Sequence, residues 1–344
     1  MDSLTQIVLG AAVGELVLGK KAGNKAQLFG AIAGTLPDLD ILATIWYPDD
    51  ISEIALHRGY SHALFVHFLI AFPLAWITFR SFKRKFGYKD WYWLWFLGLS
   101  THAILDSFTT YGTRLFLPFS HYPVGFNNIS VIDPAYTLPF MVLLMVCLFL
   151  KRQDPRRRIW AWRAMLISSV YMLMTFGVKA YVHYTFSNAL KQQAYACDEL
   201  KTSPTFFNNA LWAGMAISDS FIHMGEYSLL ESQPESKHNI GFIRYPRQLQ
   251  LEQGFESEAL STLKWFSQGA YLLEKPDSST LNVYVVKWGR ANYAEIEPSK
   301  AFVFYYELKR SGGEVRMKTI RPEMDGKMFK AALSQLWNRI WARP

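Results

Sequence analysis

Apolar side chains run nearly unbroken through residues 63–79, 91–108, 136–150 and 159–182, and each run is bounded by charged or turn-forming residues. Several fall a little short of the roughly 20 residues that cross a bilayer, a shortfall that flanking residues or local thinning of the bilayer absorbs. Two weaker, glycine-rich segments, 4–19 and 26–46, precede them and read as a helical hairpin that either crosses the membrane or enters it and returns. Beyond Val182 the pattern changes to scattered charge. There the last helix is expected to run on to about residue 200. Strands are predicted at 210–218, 221–229, 281–288, 301–308 and 314–320, with helices at 255–266 and 327–341. Ser311-Gly312-Gly313 marks a hairpin between the last two strands. The expected fold is an α-helical integral membrane domain over 1–182, with four strong spans plus the N-terminal glycine-rich hairpin. A soluble α+β domain follows over 183–344.

Charge orients this arrangement. Lys20, Lys21 and Lys25 form one basic cluster, Arg80, Lys83, Arg84, Lys85 and Lys89 a second, and Lys151, Arg152, Arg156, Arg157 and Arg158 a third. With alternating segments all three fall on one side, the cytoplasmic side by the positive-inside rule. The same topology accounts for the net charge of +8 without invoking nucleic acid as a partner. Residues 37–62, the 107–135 loop and the C-terminal domain then face outward, into the periplasm if the membrane is a bacterial inner membrane. Asp2 opens the chain and no cleavage signal follows, so the N-terminus is expected to be retained. Cys147 and Cys197 make neither a disulfide framework nor a thiolate zinc site. The partners expected are the lipid bilayer and a substrate within it; no protein partner can be read.

Ionisable side chains at membrane depth are costly and point to function. His102 and Asp106, four apart, share one helix face; Asp38 and Asp40 lie in TLPDLD, and His57 and His62 in HRGYSH. The orientation brings all three clusters to the outer half of the membrane. Such donors suit a divalent metal, zinc first, with manganese or iron as alternatives, and six of them leave an open catalytic position or room for two ions. The chemistry expected is metal-activated hydrolysis of an ester or phosphoester in a lipid or lipid-linked substrate. Asp38 or Asp40 is a candidate to take the water's proton, and Arg58 to hold a phosphate or carboxylate. Ser61 reads as a helix cap, and His67 as an interhelical hydrogen-bond partner. His121 is a weaker ligand candidate, Asp133 a helix cap, and His183, His223 and His238 ordinary residues of the soluble part. Two non-enzymatic classes remain open: a membrane protein that binds or transports a metal, and a scaffold whose soluble domain binds a partner.

The ordered motifs MDSLTQIVLGAAVGE, GAIAGTLPDLD, HRGYSH, THAILDSFTTYGT, LPFS and IDPAYTLP resemble the YdjM-like family of bacterial inner-membrane proteins. The resemblance covers roughly the first half of the chain. It implies a metal-dependent hydrolase with Asp38, Asp40, His57, His62, His102 and Asp106 as ligands. The family is also described as LexA-binding, which does not fit a soluble portion placed outside the cytoplasm and is not adopted as the function. Many members carry histidine after the early threonine, where this chain has Gln6, a poor transition-metal ligand.

Overall fold

A computed structural model describes residues 1–46, 49–231, 240–292, 295–321 and 326–341. The chain forms two compact units. The first comprises Met1–Tyr47, Leu56–Phe176 and Phe206–Asn208; the second comprises Pro48–Ala55, Gly177–Thr205 and Asn209–Pro344.

The first unit is helical. Its α1 (Ser3–Ala22) starts at Asp2, whose carboxylate accepts from the Thr5 amide, and α2 (Asn24–Thr35) follows Gly23, which takes a left-handed φ of 60°. Gly10 and Gly14 of α1 meet Gly30 and Gly34 of α2. A Cβ on Gly10, Gly14 or Gly30 would lie 2.1–2.2 Å from a carbonyl oxygen of the other helix. Small residues at four-residue spacing let helices approach closely where lipid removes the hydrophobic drive to associate. After α2 come a 3-10 stretch (Leu36–Ile45), α3 (Asp50–Leu56), which falls mostly in the second unit, and a 3-10 turn (Tyr60–His62). Next are α4 (Leu64–Ser81), α5 (Tyr88–Ser107), α6 (Pro134–Phe149) and α7 (Arg156–Gln192). Ala33, Ala71, Trp91 and Leu94 form one core, and Ala12, Leu105, Phe140 and Ala164 belong to another. A buried bidentate pair, Arg157 with Glu15 at 2.6 and 2.9 Å, joins α7 to α1 and is extended by Gln27 of α2.

Three of the described helices, α1, α4 and α7, are long and apolar enough to cross a membrane, so the count of four strong spans is not confirmed. The helix α6 is apolar but only 16 residues long, and α5, at 20 residues, carries Lys89, Asp90, His102 and Asp106. Conversely, the first glycine-rich segment makes a full 20-residue helix. Along α4 and α7, Phe72, Trp76, Ile77, Leu166, Val170 and Leu173 are exposed, as lipid-facing side chains are.

The second unit takes in the last part of α7 and two four-stranded antiparallel sheets, each in simple sequence order. The first holds β1 (Glu199–Pro204), β2 (Leu211–Ile217), β3 (Phe221–Ser228) and β4 (Phe242–Pro246). After α8 (Glu258–Ser267), the second holds β5 (Tyr271–Glu274), β6 (Thr280–Val285), β7 (Tyr305–Ser311) and β8 (Glu314–Ile320), with α9 (Pro298–Ala301) preceding β7 and α10 (Gly326–Ile340) last. Met215, Ile222 and Met224 of one sheet share a core with Leu272 and Tyr284 of the other. Val182, Phe186 and Ala189 of α7 pack on Trp212 and Tyr227, and Gly214 leaves room for the Phe186 ring. The expected extension of α7 to residue 200 stops at Gln192, because Glu199–Pro204 pairs with β2 as an edge strand. The strand expected from residue 301 starts at Tyr305, after the short turn of α9.

Candidate metal centre

The polar centre is assembled by three pieces of the first unit. On α5, His102 and Asp106 project from one face and are fully buried. The 3-10 stretch after α2 presents Asp38 and Asp40. The third piece is the bend 57–62, where Arg58 takes a left-handed φ of 54° and Gly59 keeps a negative φ of −90°. A Cβ at Gly59 would lie 2.8 Å from the Leu56 carbonyl oxygen, so the bend needs glycine for space.

Asp38, His62, His102 and Asp106 each direct one donor atom to a common point, all within 4.8 Å of one another. Asp38 Oδ1 is 3.4 Å from His62 Nε2 and 3.3 Å from His102 Nε2. Asp106 Oδ2 is 3.4 and 3.7 Å from the same two nitrogens, which are themselves 3.1 Å apart. Donors about 2.0–2.1 Å from a tetrahedral zinc are separated by about 3.3–3.4 Å, so the spacing fits a metal of that size.

The hydrogen-bond network assigns the tautomers in the same sense. His102 Nδ1 donates to the Gly34 carbonyl at 2.6 Å, leaving Nε2 as a lone pair. Ser61 Oγ donates to Asp40 at 2.7 Å, so His62 Nδ1, 2.9 Å from that oxygen, is the donor to Ser61. His62 Nε2 is then a lone pair as well. Two imidazole lone pairs and two carboxylate oxygens thus converge, an arrangement a cation stabilises. Asp106 Oδ2 is buried and, although 3.0 Å from Arg58 Nε, makes no well-aligned hydrogen bond, so it is an oxygen that could serve a metal.

Around these four lies a supporting layer. Asp106 Oδ1 accepts from Gln6 Nε2 at 2.9 Å and is also met by the Met1 amine. Arg58 is 6% exposed; besides its approach to Asp106, it donates from Nη1 to Thr109 Oγ1 at 2.9 Å. Asp40 accepts from His57 Nδ1, the Arg58 amide and Ser61 Oγ at 2.7–3.0 Å, so it stands beside the cluster as a hydrogen-bonded pair with His57. The His57 side chain, 28% exposed, packs edge-on to Tyr111.

Two local expectations change. Ser61 does not cap α4, whose N-terminal Ala63 offers no side-chain cap; its hydroxyl is committed to Asp40 and His62. His67 Nε2 donates to the Ser61 carbonyl at 2.7 Å, a contact that stays within the approach to α4 instead of crossing to another helix. Asp133 caps α6, accepting from the Ala135 and Tyr136 amides, and also takes the Tyr171 hydroxyl. His121 is exposed outside the cluster, His223 stacks on Tyr195, and His238 lies outside the described residues. Sequence reasoning missed Gly34, Thr109 and the linking role of Ser61. The paired glycine repeats of α1 and α2 were the signal that could have brought Gln6 and Gly34 to the centre.

Comparison with known proteins agrees with the motif order. Residues 1–183 match a family described as YdjM inner membrane protein. A 153-residue stretch is 27% identical to the uncharacterized protein YfhP of Bacillus subtilis (strain 168), covering 42% of this chain and 46% of that protein, so the match spans about half the relative's length. No solved structure matches the chain. With the family match extending over more than half its residues, the chain belongs to the YdjM inner membrane protein family.

Proposed function

We propose that the first unit is a membrane-embedded metal-dependent hydrolase acting on an ester or phosphoester of a lipid or lipid-linked substrate at the outer side of the inner membrane. The observation that carries this reading is the convergence of the Asp38, His62, His102 and Asp106 donors. A divalent metal held there supplies Lewis-acid activation of water and of the scissile group. The protein's own residues do the rest. Gly34 and Ser61 hold the two imidazoles with Nε2 inward, and Arg58, 3.0 Å from Asp106, holds that carboxylate in place. Arg58, read from the sequence as a phosphate clamp, is buried against that carboxylate, so we assign it to positioning. His57 donates through Nδ1 to Asp40, leaving Nε2 to take a proton; the pair is our candidate general base.

A second reading, a non-catalytic metal knot, is favoured by the burial of His62, His102 and Asp106, since four protein donors close a structural site. Asp38, with a side chain 29% exposed, is the donor open to substrate. Elemental analysis of detergent-purified protein tests the centre: wild type should carry stoichiometric zinc, manganese or iron, and His102→Ala and Asp106→Ala should lose it. A well-folded wild type that holds no metal after reloading would sink both readings. Hydrolysis of lipid esters or phosphoesters by the loaded protein, lost in His57→Ala with metal retained, separates the enzyme from the knot.

A further inference from the structure

The last helix of the second unit has a wider apolar arc than its own unit covers. On α10, Leu336 is 8% exposed and Ala332 and Ile340 are half-buried against the body. Phe329, Leu333 and Trp337, with Trp341 directly after the helix, follow at intervals of four residues and are 37–55% exposed. At about 100° per residue these four positions spread over roughly 120° of the helix surface, overlapping and extending the stripe of Leu336 and Ile340. Lys330, Ser334 and Asn338 border them. Bulky aromatics on one side with lysine at the margin mark a helix that lies in the headgroup layer of a membrane.

Its anchorage ties it to β3, the strand whose Tyr227 packs with α7. The Ile340 carbonyl accepts from Ser228 Oγ at 2.5 Å, and Arg339 pairs with Glu226 at 3.3 Å. Ser228 follows Tyr227, whose hydroxyl is 3.4 Å from that of Tyr181 on α7. Counting about 20 residues along α7 from Ile159, just after the Arg156–Arg158 cluster, ends the span near Lys179. Tyr181 and Tyr184 are therefore at the level where α7 leaves the bilayer, and both are exposed, as interfacial tyrosines are. Leu230, 44% exposed, adds to the same region, its backbone amide donating to Ser228 Oγ.

We propose that α10 is a membrane-surface helix: its Phe329, Leu333, Trp337 and Trp341 face enters the headgroup layer of the bilayer that α7 spans, with an anionic phospholipid surface as its partner. The inference rests on α7 being a span, and is independent of any metal or hydrolytic activity. Lysine at the border complements anionic headgroups.

The test uses the full chain with Cys197→Ser, buried Cys147 retained, and single spin-labelled cysteines at Leu333, Trp337, Asn338 and Val170, reconstituted in nanodiscs of phosphatidylethanolamine and phosphatidylglycerol. Collision with oxygen and with a water-soluble nickel chelate reads the depth of each label. Labels at 333 and 337 should favour oxygen several-fold over the label at 338, and the one at 170 should favour it most. If 333 and 337 meet the chelate as freely as 338 while 170 remains lipid-exposed, the proposal is wrong and α10 faces water. Labels at 333 and 337 shielded from both reagents would also overturn it, in favour of a protein partner or a second copy. A label at 170 that is not lipid-exposed would instead remove the span on which the proposal stands.

Discussion

One hydroxyl joins the two halves of the polar centre. Ser61 Oγ donates a hydrogen bond to Asp40 and accepts one from His62 Nδ1, so the orientation of one inner donor depends on a residue that touches no donor atom itself. Removing such a support weakens metal affinity by about 10–100-fold in comparable sites. Ser61→Ala should therefore retain metal but lose it to a chelator at a concentration lower by that factor, whereas His102→Ala should lose it outright. Chelator competition that gives the same midpoint for Ser61→Ala and wild type would disprove the assigned tautomer of His62. Much of this centre was legible from spacing: the separation of His102 from Asp106 sets both on one face, and the structure brings them to Asp38 and His62. The division of labour was not legible. Whether Asp40 or Asp38 points inward depends on the turn of a 3-10 stretch, and Gly34 contributes only a carbonyl, which no side-chain pattern reports.

At the scale of elements, the crossing of α1 and α2 sets the centre's floor, because it carries Gln6 and Gly34 to α5. A methyl group at Gly14 would stand 2.1 Å from the Ala26 carbonyl oxygen, and backbone cannot yield as a flexible side chain does. Gly14→Ala should lower stability by about 1–3 kcal/mol, the usual cost of overpacking. Gly177→Ala is the control: no atom lies within 4 Å of its added carbon, and alanine is worth roughly 1 kcal/mol over glycine inside a helix. Thermal unfolding in one detergent should lower the midpoint for the first and raise it slightly for the second; equal midpoints would mean that the helices do not cross this tightly. The strongly alternating strands were readable, and 314–320 falls where expected. The five- and four-residue strands β4 and β5 carry too little pattern to be read, and β1 hides in a charged stretch because it lies at a sheet edge. The weakness of the first segment had a similar origin, since glycine and alanine lower hydropathy at the positions where two helices must touch.

For the molecule as a whole, the chain carries its own reporter of the side of the membrane that the second unit occupies. From Arg158 to Val182 the single helix α7 rises about 36 Å, enough to pass a bilayer core of about 30 Å. By the positive-inside rule we expect the basic cluster before it on the cytoplasmic side and the residues that follow it outside. Cys197 is exposed in the second unit, while Cys147 is buried within α6. Burial and the neighbouring Asp198 push the Cys197 thiol up, so its thiolate fraction rises with pH and labelling is best done in mild alkali. A membrane-impermeant maleimide added to intact spheroplasts should modify the wild-type protein at Cys197, and Cys197→Ser should abolish the signal. A cysteine placed at Lys85 in that background should react only after the membrane is opened. Protection of Cys197 until lysis, together with free reaction at position 85, would invert the whole arrangement, put the candidate metal centre nearer the cytoplasmic side, and make a cytoplasmic partner for the second unit the reading to pursue.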